Sequence, residues 1–209
     1  MGNAKMQFRG LAACGLVMVT AACATTAEMG ASAGAGGASV NASATVMTDA
    51  NVAAVAHAAN MDEIQTSQLA LQRSQNAQVR QFAQMMITEH TAVDQQMMEM
   101  LRAKGMSPQP NQPAQAAMEA TRATLASLGQ RTGMEFDRAY MMHQVASHRW
   151  TLTSLDQSLI PSTRDDQMEA FLRNKVRPAV AMHLEQAMRI NTAVGGTNPS
   201  GAMSGSMNQ

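Results

Sequence analysis

Residues 82–101 read FAQMMITEHTAVDQQMMEML, and their spacing decides the fold class. Phe82, Met86, His90, Val93, Met97 and Leu101 recur every three or four positions, the period that gathers side chains on one face of an α-helix. Arg102 and Lys104 suit the electronegative end of such a helix, Gly105 supplies a left-handed stop, and Pro108 forbids continuation. A helix over about 77–104 follows, with one histidine set in the middle of an otherwise apolar stripe.

The same period extends outward. A helix is predicted over 51–73, with Val55, Ala59, Ile64 and Leu71 on one side and Thr48, Asp49 and Asn51 as candidate N-caps. After the proline-punctuated loop 107–113 comes a short crossover helix over 114–128. A third long helix spans 133–159, with Phe136, Met141, Val145, His148, Leu152, Leu155 and Leu159 on its stripe, and Pro161 ends it. Ser162-Thr163-Arg164-Asp165-Asp166 reads as an N-cap followed by first-turn acids, which launches a fourth helix to about 192. Its stripe is Phe171, Leu172, Val176, Val180, His183, Ala187 and Ile190, and Pro178 is predicted to kink it. Four long helices with two short turns and one long connection predict an all-α four-helix bundle over 49–193, with ferritin-like connectivity through the crossover helix.

Composition narrows the function. The 209 residues carry 15 basic and 15 acidic side chains and only 3% aromatics. No basic patch with stacking rings is on offer, so nucleic acid is excluded as a partner. The 21 methionines lie mostly on or beside the apolar stripes, where Met fills a core short of aromatics. Thioethers are also soft ligands for Cu(I).

The ends give an address. Residues 1–22 read as a bacterial export signal, with basic Lys5 and Arg9, an apolar run of about a dozen residues and a small-residue cleavage context; the run is too short to span a membrane. Thr20-Ala21-Ala22-Cys23 resembles a lipobox, with Thr20 where Leu is usual. Leu11-Ala12-Ala13-Cys14 matches more closely but leaves almost no apolar run before it. Cys23 is therefore the expected lipidation site, a plain secretory signal being the alternative. Cys14 lies in the export segment and Cys23 directly after it, so no disulfide framework is expected in the folded domain. Residues 23–48 are a Gly/Ala/Ser/Thr linker and 194–209 a polar tail expected to be disordered. A bundle tethered to a membrane through a lipid, on the periplasmic side of the envelope, is the expectation.

Each long helix turns one potential ligand inward: Glu63, His90, His148 and His183. Counted from the turns at about 1.5 Å per residue, their heights agree within roughly 8 Å. Neutral imidazoles with a carboxylate suit Fe, Zn, Mn or Cu. Asp94 shares a face with His90, and His143 matches His183 in height, so both are further candidates. A ferritin-type di-iron centre needs Glu-x-x-His motifs, and none occurs here. Glu89 and His90 point about 100° apart and do not serve one site equally. The other reading makes the histidines buried polar groups, hydrogen-bonded across the bundle to Glu63, Asp137 or Tyr140. Asp137 suits the first turn of its helix, and Tyr140 and Trp150 read as core-edge residues.

Taken in order and spacing, Glu63-Ile64, Leu69-Ala70, Phe82 to Met86 with Glu89-His90, Gly133, Phe136 to Tyr140, His148, Pro178 and His183 resemble the ferritin-like family of predicted outer-membrane proteins known as domain of unknown function 4142. The resemblance covers about residues 49–193. Glu89 stands where that family usually has Asp. The resemblance implies a ferritin-like bundle in the bacterial envelope, anchored at the outer membrane, and implies no established reaction. Two functional expectations follow: an envelope lipoprotein with a structural or stress-related role, not an enzyme, or a transition-metal-binding bundle. A ferritin-like oxidoreductase is the third, opposed by the missing Glu-x-x-His.

Overall fold

Thr48 starts the first helix by a reciprocal exchange. Its hydroxyl accepts from the Asn51 backbone N–H at 3.2 Å, while its own N–H donates to Asn51 Oδ1 at 3.2 Å, satisfying two donors that a helix start leaves orphaned. The computed structural model describes residues 47–198. The export signal, the lipobox with Cys23, nearly all of the linker and residues 199–209 lie outside the described residues.

Helices α1 (Asp49–Arg73), α2 (Ala77–Ala103), α3 (Gln112–Gly129) and α4 (Gly133–Ser154) follow in order. Asn76 and Asn111 cap α2 and α3, and Gly105 adopts φ 66° beyond α2, the left-handed stop its position implies. No strand occurs among the described residues, and no described helix is long and apolar enough to cross a membrane.

The last third departs from simple helices. After α4 the backbone widens into a π turn, π1 (Leu155–Leu159), then closes into α5 (Ile160–Ser162). The final helix is α6 (Asp166–Phe171), a second π turn, π2 (Leu172–Val176), and α7 (Arg177–Ala193). Each π turn closes with an N–H donating five residues back, Ile160 to the Leu155 carbonyl and Arg177 to the Leu172 carbonyl. In both cases the next residue is a proline, Pro161 or Pro178. A proline has no N–H for the carbonyl four residues earlier and its ring crowds that carbonyl; a widened turn relieves both problems without ending the helix. The kink expected at Pro178 is thus a π turn, and Pro161 is carried inside the helical end. The N-cap of the last helix is Asp165, whose Oδ1 accepts from the Met168 N–H at 2.9 Å.

α1 packs along α2 and α3, and α4 packs along α7, with α1 and α4 also in contact. Two apolar clusters fill the interior. One gathers Val52, Val55, Met97, Leu101, Leu155, Leu159, Phe171 and Val180. The other gathers Val79, Phe82, Met86, Phe136, Tyr140, Met141, Leu184 and Ile190. α1 and α7 pass from the first cluster to the second, whereas α2 and α4 pass from the second to the first. α3 returns along α1, tied by Asn111 Nδ2 donating to the Asn51 carbonyl at one end and by Thr121 donating to Asp62 midway. Between the two clusters each long helix contributes polar side chains: Asn60, Asp62, Glu63, His90, Gln144, His148 and His183 are all buried. This polar layer is where the candidate site lies.

Two expectations at the margins change. Val194–Asn198, assigned to the disordered tail 194–209, are ordered: Asn191 Nδ2 donates to the Thr197 carbonyl at 3.2 Å and Asn198 Nδ2 to the Met188 carbonyl at 3.0 Å. The N–H groups of Val194, Gly195 and Gly196 take the carbonyls of Ile190, Thr192 and Asn191 at the helix end, and the two asparagines fasten the segment, which a composition reading does not register. Tyr140 is fully buried rather than at the core edge, while Trp150 is 46% exposed.

Candidate metal centre

His90 from α2, His148 from α4 and His183 from α7 meet in the polar layer. Their ring centroids lie 5.8 Å (His90–His148), 5.4 Å (His90–His183) and 5.4 Å (His148–His183) apart. One nitrogen from each ring lies within 4.8 Å of the others. At a Zn–N bond of about 2.0–2.1 Å, tetrahedral ligands sit about 3.4 Å apart, so closure on an ion needs movement of only about 1–1.5 Å.

The hydrogen bonds around the rings fix which nitrogen is available. His90 Nδ1 donates to Asn60 Oδ1 at 3.0 Å, His148 Nδ1 to the Gln144 carbonyl at 2.8 Å, and His183 Nε2 to Glu89 Oε2 at 2.8 Å. All three acceptors lack a proton to give, so each assigned tautomer leaves the opposite nitrogen as a lone pair. Those opposite atoms, His90 Nε2, His148 Nε2 and His183 Nδ1, are buried without a partner. Metal-binding imidazoles are held in this way, one nitrogen on the ion and the other donating to an amide, carbonyl or carboxylate.

Electrostatics favour the neutral ring at His90 and at His183. Burial, then the charges of His148 and His183, hold His90 well below the ordinary imidazole pKa. Burial also lowers His183, with Glu89 opposing it. Neutral imidazole is the form that binds metal.

Glu63 is not among the three donors that come together. It is buried beside them, its Oε1 at 3.5 Å from His148 Nδ1 and accepting from Ser147 at 2.6 Å, while its Oε2 has no partner. Asp94 and His143 do not join the cluster. Asp94 accepts from His57 at 2.9 Å and from Asn60 Nδ2 at 3.4 Å, so it supports His90 through Asn60. His143 is bonded to Asp62 at 2.9 Å, and Asp62 also accepts from Thr121 and Ser147. Burial pushes Asp62 up, but the bond and charge of His143, with Thr121 and Ser147, outweigh it and hold the carboxyl low. Burial pulls His143 down, and the bond and charge of Asp62, then Glu63, raise it overall. Asp137 is buried near the start of α4 with Oδ1 unpartnered, and Tyr140 shares a 2.8 Å bond with Ser67. Neither Asp137 nor Tyr140 is bonded to a triad histidine; of the partners expected in the purely hydrogen-bonded reading only Glu63 lies against one, at 3.5 Å from His148, and the ring hydrogen bonds go to Asn60, Gln144 and Glu89.

Asn60, Gln144 and Ser147 were not legible as site residues. Glu89 was, in part: the 100° between it and His90 directs it to the neighbouring helix, where it meets His183.

An apolar cavity of about 40 Å³ adjoins the triad, lined by His90, His148, His183 and Glu63 together with side chains of both π turns.

Residues 35–190, about three quarters of the chain, match the family model described as Domain of unknown function (DUF4142). No curated protein matches the chain, and no solved structure does.

Proposed function

We propose that the chain, which belongs to the DUF4142 family over residues 35–190, is a transition-metal-binding helical protein whose ion is held by His90, His148 and His183. The observation that carries this reading is the set of three buried lone-pair nitrogens with no partner, one from each of three helices. A buried acceptor left unsatisfied costs about 1–3 kcal/mol, and three in one place are a standing cost that a cation removes. Three imidazoles with no thiolate suit Zn(II) or Cu(II) ahead of Mn(II), which prefers oxygen donors. The carboxylate-rich set of a di-iron centre is not assembled here, so the oxidoreductase reading gains no support.

The architecture in this proposal is a ferritin-like four-helix bundle of α1, α2, α4 and the α6–π2–α7 helix, with α3 as the crossover. The directions of the helices through the two apolar clusters support it. The reading of residues 1–22 as an export signal and of Cys23 as an acylation site adds a location, the periplasmic side of the envelope with a lipid anchor in the outer membrane. A structural or stress-related envelope role is compatible with this address.

Metal analysis of the purified full chain after reloading with Zn(II) or Cu(II) tests the centre. One ion per chain is expected, abolished in His148→Ala and His183→Ala. A bound fraction below about one tenth of an equivalent sinks the proposal. An ion present at 100 times its Kd raises stability by about 2.7 kcal/mol.

A further inference from the structure

Resting on the three-histidine reading, we infer that the metal keeps an exchangeable fourth position, which opens into the cavity between α1, α2 and the two π turns and takes a small monoanion while rejecting organic ligands.

Three protein donors leave a first-row divalent ion short of coordination. Structural sites close with a fourth protein ligand, whereas open sites leave that position to a ligand from outside. Here no fourth His, Cys, Asp or Glu among the described residues joins the group of three. The space beside the triad is the cavity, walled by Val55, Val93, Met97, Leu155, Leu172 and Val180. None of these side chains can ligate strongly.

Charge selects the ligand. Three neutral imidazoles leave the ion's double positive charge intact in a buried site. The buried Glu63 carboxylate, also on the cavity wall, offsets one unit, whereas Glu89, on the same wall and bonded to His183, is 43% exposed and its charge is largely screened by solvent. A monoanion in the fourth position offsets the other and leaves the buried assembly neutral, the arrangement with the smallest desolvation cost.

Size excludes larger molecules. A cavity needs about 10–15 Å³ to hold one water, so about 40 Å³ admits about three or four waters or a triatomic ion. The rest of the wall is mostly apolar, with Asn60, Glu63, Glu89, Thr151 and Ser154 among its polar members, and offers an organic ligand few polar contacts to orient it.

Co(II) is the probe, because its visible bands report coordination directly. The full chain is loaded with Co(II) and titrated with azide, and separately with 1-methylimidazole. Azide is expected to shift the bands saturably as water leaves the fourth position, with 1-methylimidazole at least tenfold weaker. Val93→Phe, which narrows the cavity from a half-buried position, is expected to keep one Co(II) per chain and weaken azide tenfold or more. One bound Co(II) whose bands ignore azide overturns the open position. If Glu63→Gln also changes those bands, Glu63 is the fourth ligand and the site is closed. Equal responses to azide and 1-methylimidazole overturn the size limit. Absence of Co(II) bands altogether removes the metal reading, and this inference with it, and is distinct from silence toward azide.

Discussion

His90 donates its Nδ1–H to Asn60 Oδ1 across 3.0 Å, and the same Asn60 gives its amide N–H to Asp94 at 3.4 Å. Because the Asp94 carboxylate accepts, the Asn60 amide is oriented with its oxygen toward His90. His90 Nε2 is thereby left bare. A residue near the surface thus sets the tautomer of a buried imidazole two contacts away.

Asn60→Leu removes that orientation while leaving all three triad residues in place. Metal affinity is expected to fall 10–100-fold, the usual cost of losing such a supporting partner, with stoichiometry at saturation unchanged. Competition titration against a chelator measures it. Wild-type affinity in the variant would show that the tautomer is fixed some other way.

His148→Leu exchanges an unsatisfied buried acceptor for hydrocarbon. His148 is 1% exposed and packs edge-on against Phe82, with ring centroids 6.4 Å apart. The metal-free protein is expected to gain about 1 kcal/mol, a rise of about 2–4 °C at this size, and to lose all metal-dependent stabilisation. Thermal melts with and without Zn(II) read both effects. A lower metal-free Tm together with a retained Zn(II) response would contradict the assignment.

The Asp62–His143 pair predicts a pH window. Asp62 is held below its ordinary 3.8, so its contribution is complete above that value and lost as pH falls through the depressed pKa. His143 is held above its ordinary 6.5, so its contribution is complete below 6.5 and lost as pH rises through the elevated pKa. Their joint contribution is therefore greatest between about 3.8 and 6.5. Asp62→Asn is expected to cost most stability in that window and less above it, read from denaturation midpoints across pH. A cost that stays constant from pH 5 to 9 would place the stabilisation elsewhere.

Pro178→Ala restores an N–H that can reach the Asn174 carbonyl, removing the cause of π2. Leu172 and Val176 line the cavity, so relaxation toward a regular helix reshapes the wall while the helix persists. Stability is expected to change by no more than about 1 kcal/mol, and metal affinity to fall about tenfold. Unchanged affinity would separate π2 from the site.

Much of the helical pattern was readable because its cause is periodic. Phe82 to Leu101 alone carries five intervals of three or four, and Thr48, Gly105 and Pro108 mark ends by their backbone chemistry. His90, His148 and His183 were readable as inward-facing for the same reason. Counting residues gives height along a helix but not which atoms meet: Glu63 comes to the correct level yet lies against the outer nitrogen of His148. His143 and Asp94 reach comparable heights and are claimed by Asp62 and His57. The π turns were not readable, because a widened turn depends on where a carbonyl can move when a proline follows, and the apolar stripe runs through it unbroken.

The sandwiching of one hydrophilic slab between two oily ones has a further outcome for assembly. Sliding any helix by a turn, about 5.4 Å, would press an imidazole, or on α1 a carboxylate, into hydrocarbon and drag apolar side chains among the amides. Misaligned packings are penalised at every helix at once, so the groups that would grip an ion also act as a vernier, admitting a single alignment of the long helices.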